Sequence, residues 1–129
     1  MVGLWDRATG HYLGGSGLHR IDWSVPALEI GYWLRTSAWG KGYASEAVRL
    51  LCEFAFESLR ANRVEIRCDA LNTRSMAVPT RLGFVQEALL RRECRDGNGE
   101  LRDTLIFAMT PEDYDRVKSG WDKYVQERE

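Results

Sequence analysis

A chain of 129 residues suits one domain built around one core. Its formal net charge of −1 gives no global field to recruit nucleic acid or an anionic membrane, and no apolar run approaches the roughly 18 residues of a membrane span or follows a basic N-terminus as in a signal peptide. The three cysteines, Cys52, Cys68 and Cys94, include no CxxC pair and lie near no histidine pair, which argues against a zinc site or a disulfide framework and points to a reducing cytoplasm.

Residues 2–6 read as a strand, 7–10 as a turn and 11–21 as a second, glycine-rich strand. After a break at Ser24-Val25-Pro26, residues 27–35 form an aromatic strand with Gly31 inside it, the mark of a bulge or a close backbone approach. Beyond Gly42, the residues Ala44, Ala47, Val48, Leu51, Ala55 and Leu59 recur at helical spacing, and Arg60-Ala61-Asn62 ends the helix. Residues 64–70 alternate: Val64, Ile66, Cys68 and Ala70 face one way, Glu65, Arg67 and Asp69 the other. A short helix over 75–82 stops at Gly83. Strands 84–95 and 101–109 join through Asp96-Gly97-Asn98-Gly99, and the basic run 91–95 reads as a solvated strand face. Thr110-Pro111-Glu112-Asp113 starts a last helix that buries Tyr114, Val117, Trp121 and Tyr124. The order β-β-β-α-β-α-β-β-α is a mixed α/β fold (α+β, mixed sheet).

The stretch Ser37 to Ala47, SAWGKGYASEA, sets Gly40-Lys41-Gly42 directly before the longest helical pattern. Glycines permit close backbone approach, and a helix start presents unpaired N–H groups at its positive end. Residues 39–45 therefore read either as a pyrophosphate cradle or as a tight turn. A P-loop requires Lys-Ser/Thr after its second glycine, and here Gly42-Tyr43 follows. A dinucleotide fingerprint requires a third glycine, where Ser45 stands.

Glu29-Ile30-Gly31-Tyr32-Trp33-Leu34 followed by Trp39-Gly40-Lys41-Gly42-Tyr43-Ala44-Ser45-Glu46-Ala47 resembles the acyl-CoA site of the GNAT N-acetyltransferases. Asn72-Thr73-Arg74-Ser75 through Arg81-Leu82-Gly83-Phe84 resembles the family's second cofactor segment, and residues 84–109 its C-terminal strands. The similarity is greatest to the ribosomal-protein, RimJ/RimL-like branch. It implies a GNAT-like acyl-CoA N-acyltransferase fold, and transfer from acetyl-CoA to an amine acceptor, a small molecule or a protein N-terminal α-amine. It also implies that the strand before the glycine loop splays from its neighbour, so that the backbone of Tyr32, Trp33 and Leu34 pairs with the pantetheine arm. The N–H groups of Trp39, Gly40, Lys41, Gly42, Tyr43 and Ala44, with Ser45, take the pyrophosphate, and Asn72 bonds the pantetheine amides or caps a helix. Backbone N–H near Trp33 and Leu34 polarises the thioester carbonyl.

The resemblance implies Glu29 as the base that deprotonates the amine, with His19 on the neighbouring strand as a second candidate suited by its ordinary pKa. Many members carry a proton-donating tyrosine seven residues after the asparagine; here that position is Pro79, so Ser75 becomes the acid that protonates the leaving thiolate, or else a helix cap. Cys68 packs in the core. Ser37 stands where the family usually has Gln or Arg, and the pattern begins late, lacking a first strand and two helices. A shortened sheet exposes an edge and apolar surface, which favours a homodimer. No metal, nucleic acid or membrane is expected. Two other readings stay open: a non-catalytic acyl-CoA-binding or assembly module and, less well matched by the antiparallel C-terminal hairpin, a nucleotide-binding α/β domain.

Overall fold

The computed structural model describes residues 2–5, 10, 12–34 and 42–128. Six strands form one mixed sheet in the order β1-β2-β3-β4-β6-β5. They are β1 (Val2–Trp5), β2 (Tyr12–Asp22), β3 (Ala27–Leu34), β4 (Arg63–Asp69), β5 (Val85–Arg95) and β6 (Leu101–Met109). The helices are α1 (Tyr43–Glu53), α2 (Thr73–Leu82) and α3 (Pro111–Arg128). The expected order holds. All adjacent strands pair antiparallel except β3 and β4, which are parallel because α1 crosses over between them.

The alternation of β4 decides which face is the core. Val64, Ile66 and Cys68 are buried together with Leu28 and Ile30 of β3, Leu105, Phe107 and Met109 of β6, and the apolar faces of α1 and α2. The opposite face is a lattice of ion pairs. Arg63 bonds Glu65 and Glu87, Arg67 bonds Glu65 at 3.2 Å, and Arg102 bonds Asp69 at 2.9 Å and Asp96 at 3.3 Å. Residues 91–95 are exposed, as a solvated strand face requires.

Gly31 lies in register with Gly17, a close approach of two backbones without side chains between them. The irregularity of the β2–β3 ladder sits elsewhere, between His19 and Asp22.

The helix boundaries differ from the expectation in two places. First, α2 begins at Thr73 rather than 75, because the Asn72 side chain accepts from Ser75 N at 3.1 Å and caps the helix. Second, α1 closes with a π turn over Phe54–Ser58, in which Leu59 N donates to Phe54 O. The widened turn keeps Ala55 buried while Phe56 stacks on Tyr114 of α3, ring centroids 4.9 Å apart. The chain then leaves through Arg60 in the left-handed region, φ 55°.

α3 starts with a reciprocal cap: Thr110 Oγ1 accepts from Asp113 N, and Asp113 Oδ2 accepts from Thr110 N. Tyr114 and Trp121 are buried and Val117 half-buried, as expected; the Tyr124 side chain lies outside the described residues. Trp121 Nε1 donates to Leu82 O at 3.0 Å, which fastens α3 to the end of α2.

Candidate functional site

The parallel ladder between β3 and β4 is short. It contains Ala27–Arg63, Leu28–Val64 and Glu29–Glu65, and stops there. Both strands continue: β3 stays paired with β2 as far as Leu34, and β4 with β6 as far as Asp69. The two strands thus part beyond Glu29, in the middle of the sheet. The parting leaves one backbone edge of Tyr32, Trp33 and Leu34 turned toward a gap rather than toward β4.

Glu29 sits at the closed end of this gap. It is buried, 8% exposed, so it is no surface carboxylate. In register it faces Glu65 on one side and His19 on the other. Glu65 is itself held by Arg63 and Arg67, which compensates the second negative charge across the ladder. The side chain of His19 lies outside the described residues.

At the open end, three residues converge on the core side. Tyr32 Oη donates to Ser75 O at 2.6 Å and lies 3.9 Å from Cys68 Sγ. Cys68 Sγ is 3.5 Å from the same carbonyl. Burial pushes the Tyr32 phenol far above its ordinary range, with the neighbouring Cys68 adding to the shift, so the phenol stays a neutral donor. Burial also pushes the Cys68 thiol up to about 11, against an opposing hydrogen bond from Tyr32. At neutral pH Cys68 is a packed thiol, not a nucleophile.

Ser75 is held from below: its N–H goes to Asn72 Oδ1, so Asn72 and not Ser75 is the cap of α2. Among the described residues, Ser75 Oγ has no hydrogen-bond partner. The Asn72 cap uses Oδ1 and leaves the Nδ2 donor out of it. Pro79 lies inside α2, fully buried, where it offers packing and no proton.

Of the glycine loop, Trp39, Gly40 and Lys41 lie outside the described residues. Gly42 ends it in the left-handed region, φ 79°, as the cap residue of α1. As a glycine it has no side chain with which to cap the helix. Tyr43 is half-buried, and Ala44 and Ser45 are buried, so what the last two present to a ligand is backbone. A helix start entered through glycine beside a gap in a sheet is suited to an anionic group attached to an extended arm.

A family model described as "Acetyltransferase (GNAT) domain" matches residues 1–85. The chain belongs to the GNAT acetyltransferase family. A curated relative from Bacillus licheniformis, the uncharacterized N-acetyltransferase p20, is 37% identical over 108 residues, covering 84% of this chain and 60% of its own length. YdaF of Bacillus subtilis, a candidate ribosomal N-acetyltransferase, is 36% identical over 112 residues, covering 84% of this chain and 59% of its own. A solved GCN5-related N-acetyltransferase from Brucella melitensis superposes with a TM-score of 0.82 at 28% identity, covering 92% of this chain and 54% of that one. The chain thus spans about 60% of the length of these curated GNAT relatives.

Two features of this arrangement are not legible in the motifs. The resemblance gives Tyr32 a backbone role alone, and its hydroxyl also bridges β3 to α2. The Ser75 carbonyl is the second, and the Ser75-x-x-x-Pro79 spacing is a signal for it: a proline cannot return a bond to the carbonyl four residues before it, which frees it for Tyr32.

Proposed function

We propose that this chain is a single-domain acetyl-CoA-dependent N-acetyltransferase acting on an amine, with a protein N-terminal α-amine as its acceptor. The observation that carries the reading is the parting of β3 and β4 beyond Glu29, together with a start of α1 that is entered through Gly42. The exposed edge of Tyr32, Trp33 and Leu34 hydrogen-bonds the pantetheine arm as an added strand would. The backbone N–H groups of residues 39–45 take the pyrophosphate, helped by the charge of Lys41, and Asn72 Nδ2 reaches the arm from the other side. Bound there, acetyl-CoA supplies an activated acetyl thioester.

The chain's own residues then move protons. An ammonium cannot attack, so Glu29 accepts a proton from the amine, directly or through water. Ser75, on the helix-covered face, gives a proton to the departing sulfur. Base and acid stand at opposite ends of the gap, which separates the arriving amine from the leaving thiol. Backbone N–H near Trp33 and Leu34 stabilises charge developing on the carbonyl oxygen. A protein acceptor is favoured by the ribosomal designation of YdaF. The described residues contain no helix long and apolar enough to cross a membrane, and a cytoplasmic setting suits three free thiols.

Calorimetry with acetyl-CoA and a transfer assay against peptide and small-molecule amines test this. Binding with stoichiometric uptake and acetylation of a peptide N-terminus is the expected result. No binding would refute the cofactor reading; binding without transfer to any amine would favour the acyl-CoA-binding module.

A further inference from the structure

Pro79 has no N–H, so the carbonyl four residues earlier, Ser75 O, loses the partner that an α-helix would otherwise give it. That carbonyl is not left open. It accepts the Tyr32 hydroxyl at 2.6 Å, a normal O–H···O length, and has the Cys68 thiol at 3.5 Å. Tyr32 lies on β3 beyond the last β3–β4 pair, and Cys68 lies on the facing part of β4. The bond therefore spans the place where the sheet has no ladder.

We propose that Tyr32 is a positioning residue for the acyl donor: its hydroxyl, anchored on the carbonyl that Pro79 frees, ties the tip of β3 to the first turn of α2 and fixes the width of the gap. This rests on the reading of that gap as the pantetheine channel. Beyond Glu29 the backbone ladder of β3 runs with β2, which opposes it with Gly14, Gly15 and Gly17 around Ser16, so few side chains stiffen the pair. The tie also fixes Ser75, because Asn72 holds its N–H while Tyr32 holds its carbonyl. The residue at 79 thus acts by what it lacks. The phenol sits on β3 rather than on α2, and it reaches the same turn of α2 from across the gap.

The test compares CoA with its adenine nucleotide half, which keeps every phosphate but lacks the pantetheine arm. Tyr32→Phe removes only the hydroxyl. It is expected to weaken CoA binding about fivefold, the size of one hydrogen bond, and to change binding of the nucleotide half by less than about twofold. Pro79→Ala returns an N–H to position 79, which competes with Tyr32 for the Ser75 carbonyl. It is expected to shift the ratio of the two affinities in the same direction. That ratio is the readout because a general loss of packing would weaken both ligands alike. The variant Tyr32→Phe with Pro79→Ala satisfies the carbonyl again without restoring the tie, so its melting temperature should recover toward the parent while CoA affinity stays low. Equal loss of both ligands in Tyr32→Phe, or recovery of CoA affinity in the double variant, would overturn the proposal. A parent chain that binds the nucleotide half but gains nothing from the pantetheine arm would overturn the channel reading itself.

Discussion

Ser75 shows how much one residue's role depends on what its neighbours leave to it. Serine near a helix start is a natural cap, and that role competed with proton donation. Asn72 takes the cap, through the Ser75 backbone N–H, so replacing the Ser75 side chain leaves the cap intact. Ser75→Ala should therefore lower turnover about tenfold while melting and acetyl-CoA affinity stay near the parent, measured by single-turnover kinetics and calorimetry. Parallel losses of stability and activity would count against the acid. Glu29 is buried at the closed end of the gap, in register with Glu65 and His19. Glu29→Gln keeps its size and hydrogen bonding but not its basicity. A fall of about a hundredfold in transfer is expected, steepest at low pH where little free amine exists, with acetyl-CoA binding unchanged. A pH–rate profile that superposes on the parent's would remove Glu29 from the mechanism.

At the scale of elements, the helices are set by their ends. Gly83 closes α2 at φ 90°, with Gly83 N donating to Thr80 O and Phe84 N to Pro79 O, a Schellman arrangement. A Cβ there would also meet Val117 Cγ1 at 2.8 Å, so the glycine is what lets α3 approach. Gly83→Ala is expected to cost about 2 kcal/mol in urea unfolding, from the left-handed backbone and the clash together. Gly120 is the control. It is exposed within α3, and a Cβ there meets nothing within 4 Å. Gly120→Ala should stabilise by about 0.5–1 kcal/mol. If both substitutions had the same sign, the docking of α3 on the end of α2 would be wrong. Both helix ends were legible: glycine after an apolar period, and Thr-Pro-Glu-Asp before one. The π turn at the end of α1 was not, because the 54–58 stretch keeps helical spacing, while the stacking of Phe56 on Tyr114 that accompanies the wider turn is a tertiary contact.

Over the whole molecule, the buried thiols and phenols are held neutral. Burial raises Cys52, Cys68, Tyr32 and Tyr114, the last aided by its hydrogen bond to Glu57. Each group binds its proton more tightly folded than unfolded, so its contribution is complete below the unfolded pKa and is lost as pH rises toward the folded one. Stability should be flat near neutrality and fall from about pH 8.5 for the thiols and about pH 10 for the phenols. Urea melts across that range check it, and Tyr32→Phe should flatten the upper part of the slope. An unchanged stability up to about pH 11 would contradict the burial of these groups.

The sequence by itself determined the element order, the core face of β4 and the start of α1 directly after Gly42. These depend on local periodicity and on the backbone freedom of particular residues, which are properties of neighbours along the chain. It also carried the family resemblance, through three ordered motifs. Only the tertiary structure decided where β3 leaves β4, that Asn72 rather than Ser75 caps α2, and that the Tyr32 hydroxyl crosses the gap to the carbonyl above Pro79. Tyr32 and Ser75 are 43 residues apart in the chain. No periodicity links them; they meet because β3 and α2 pack against the same core, and because a proline left one carbonyl in need of a donor.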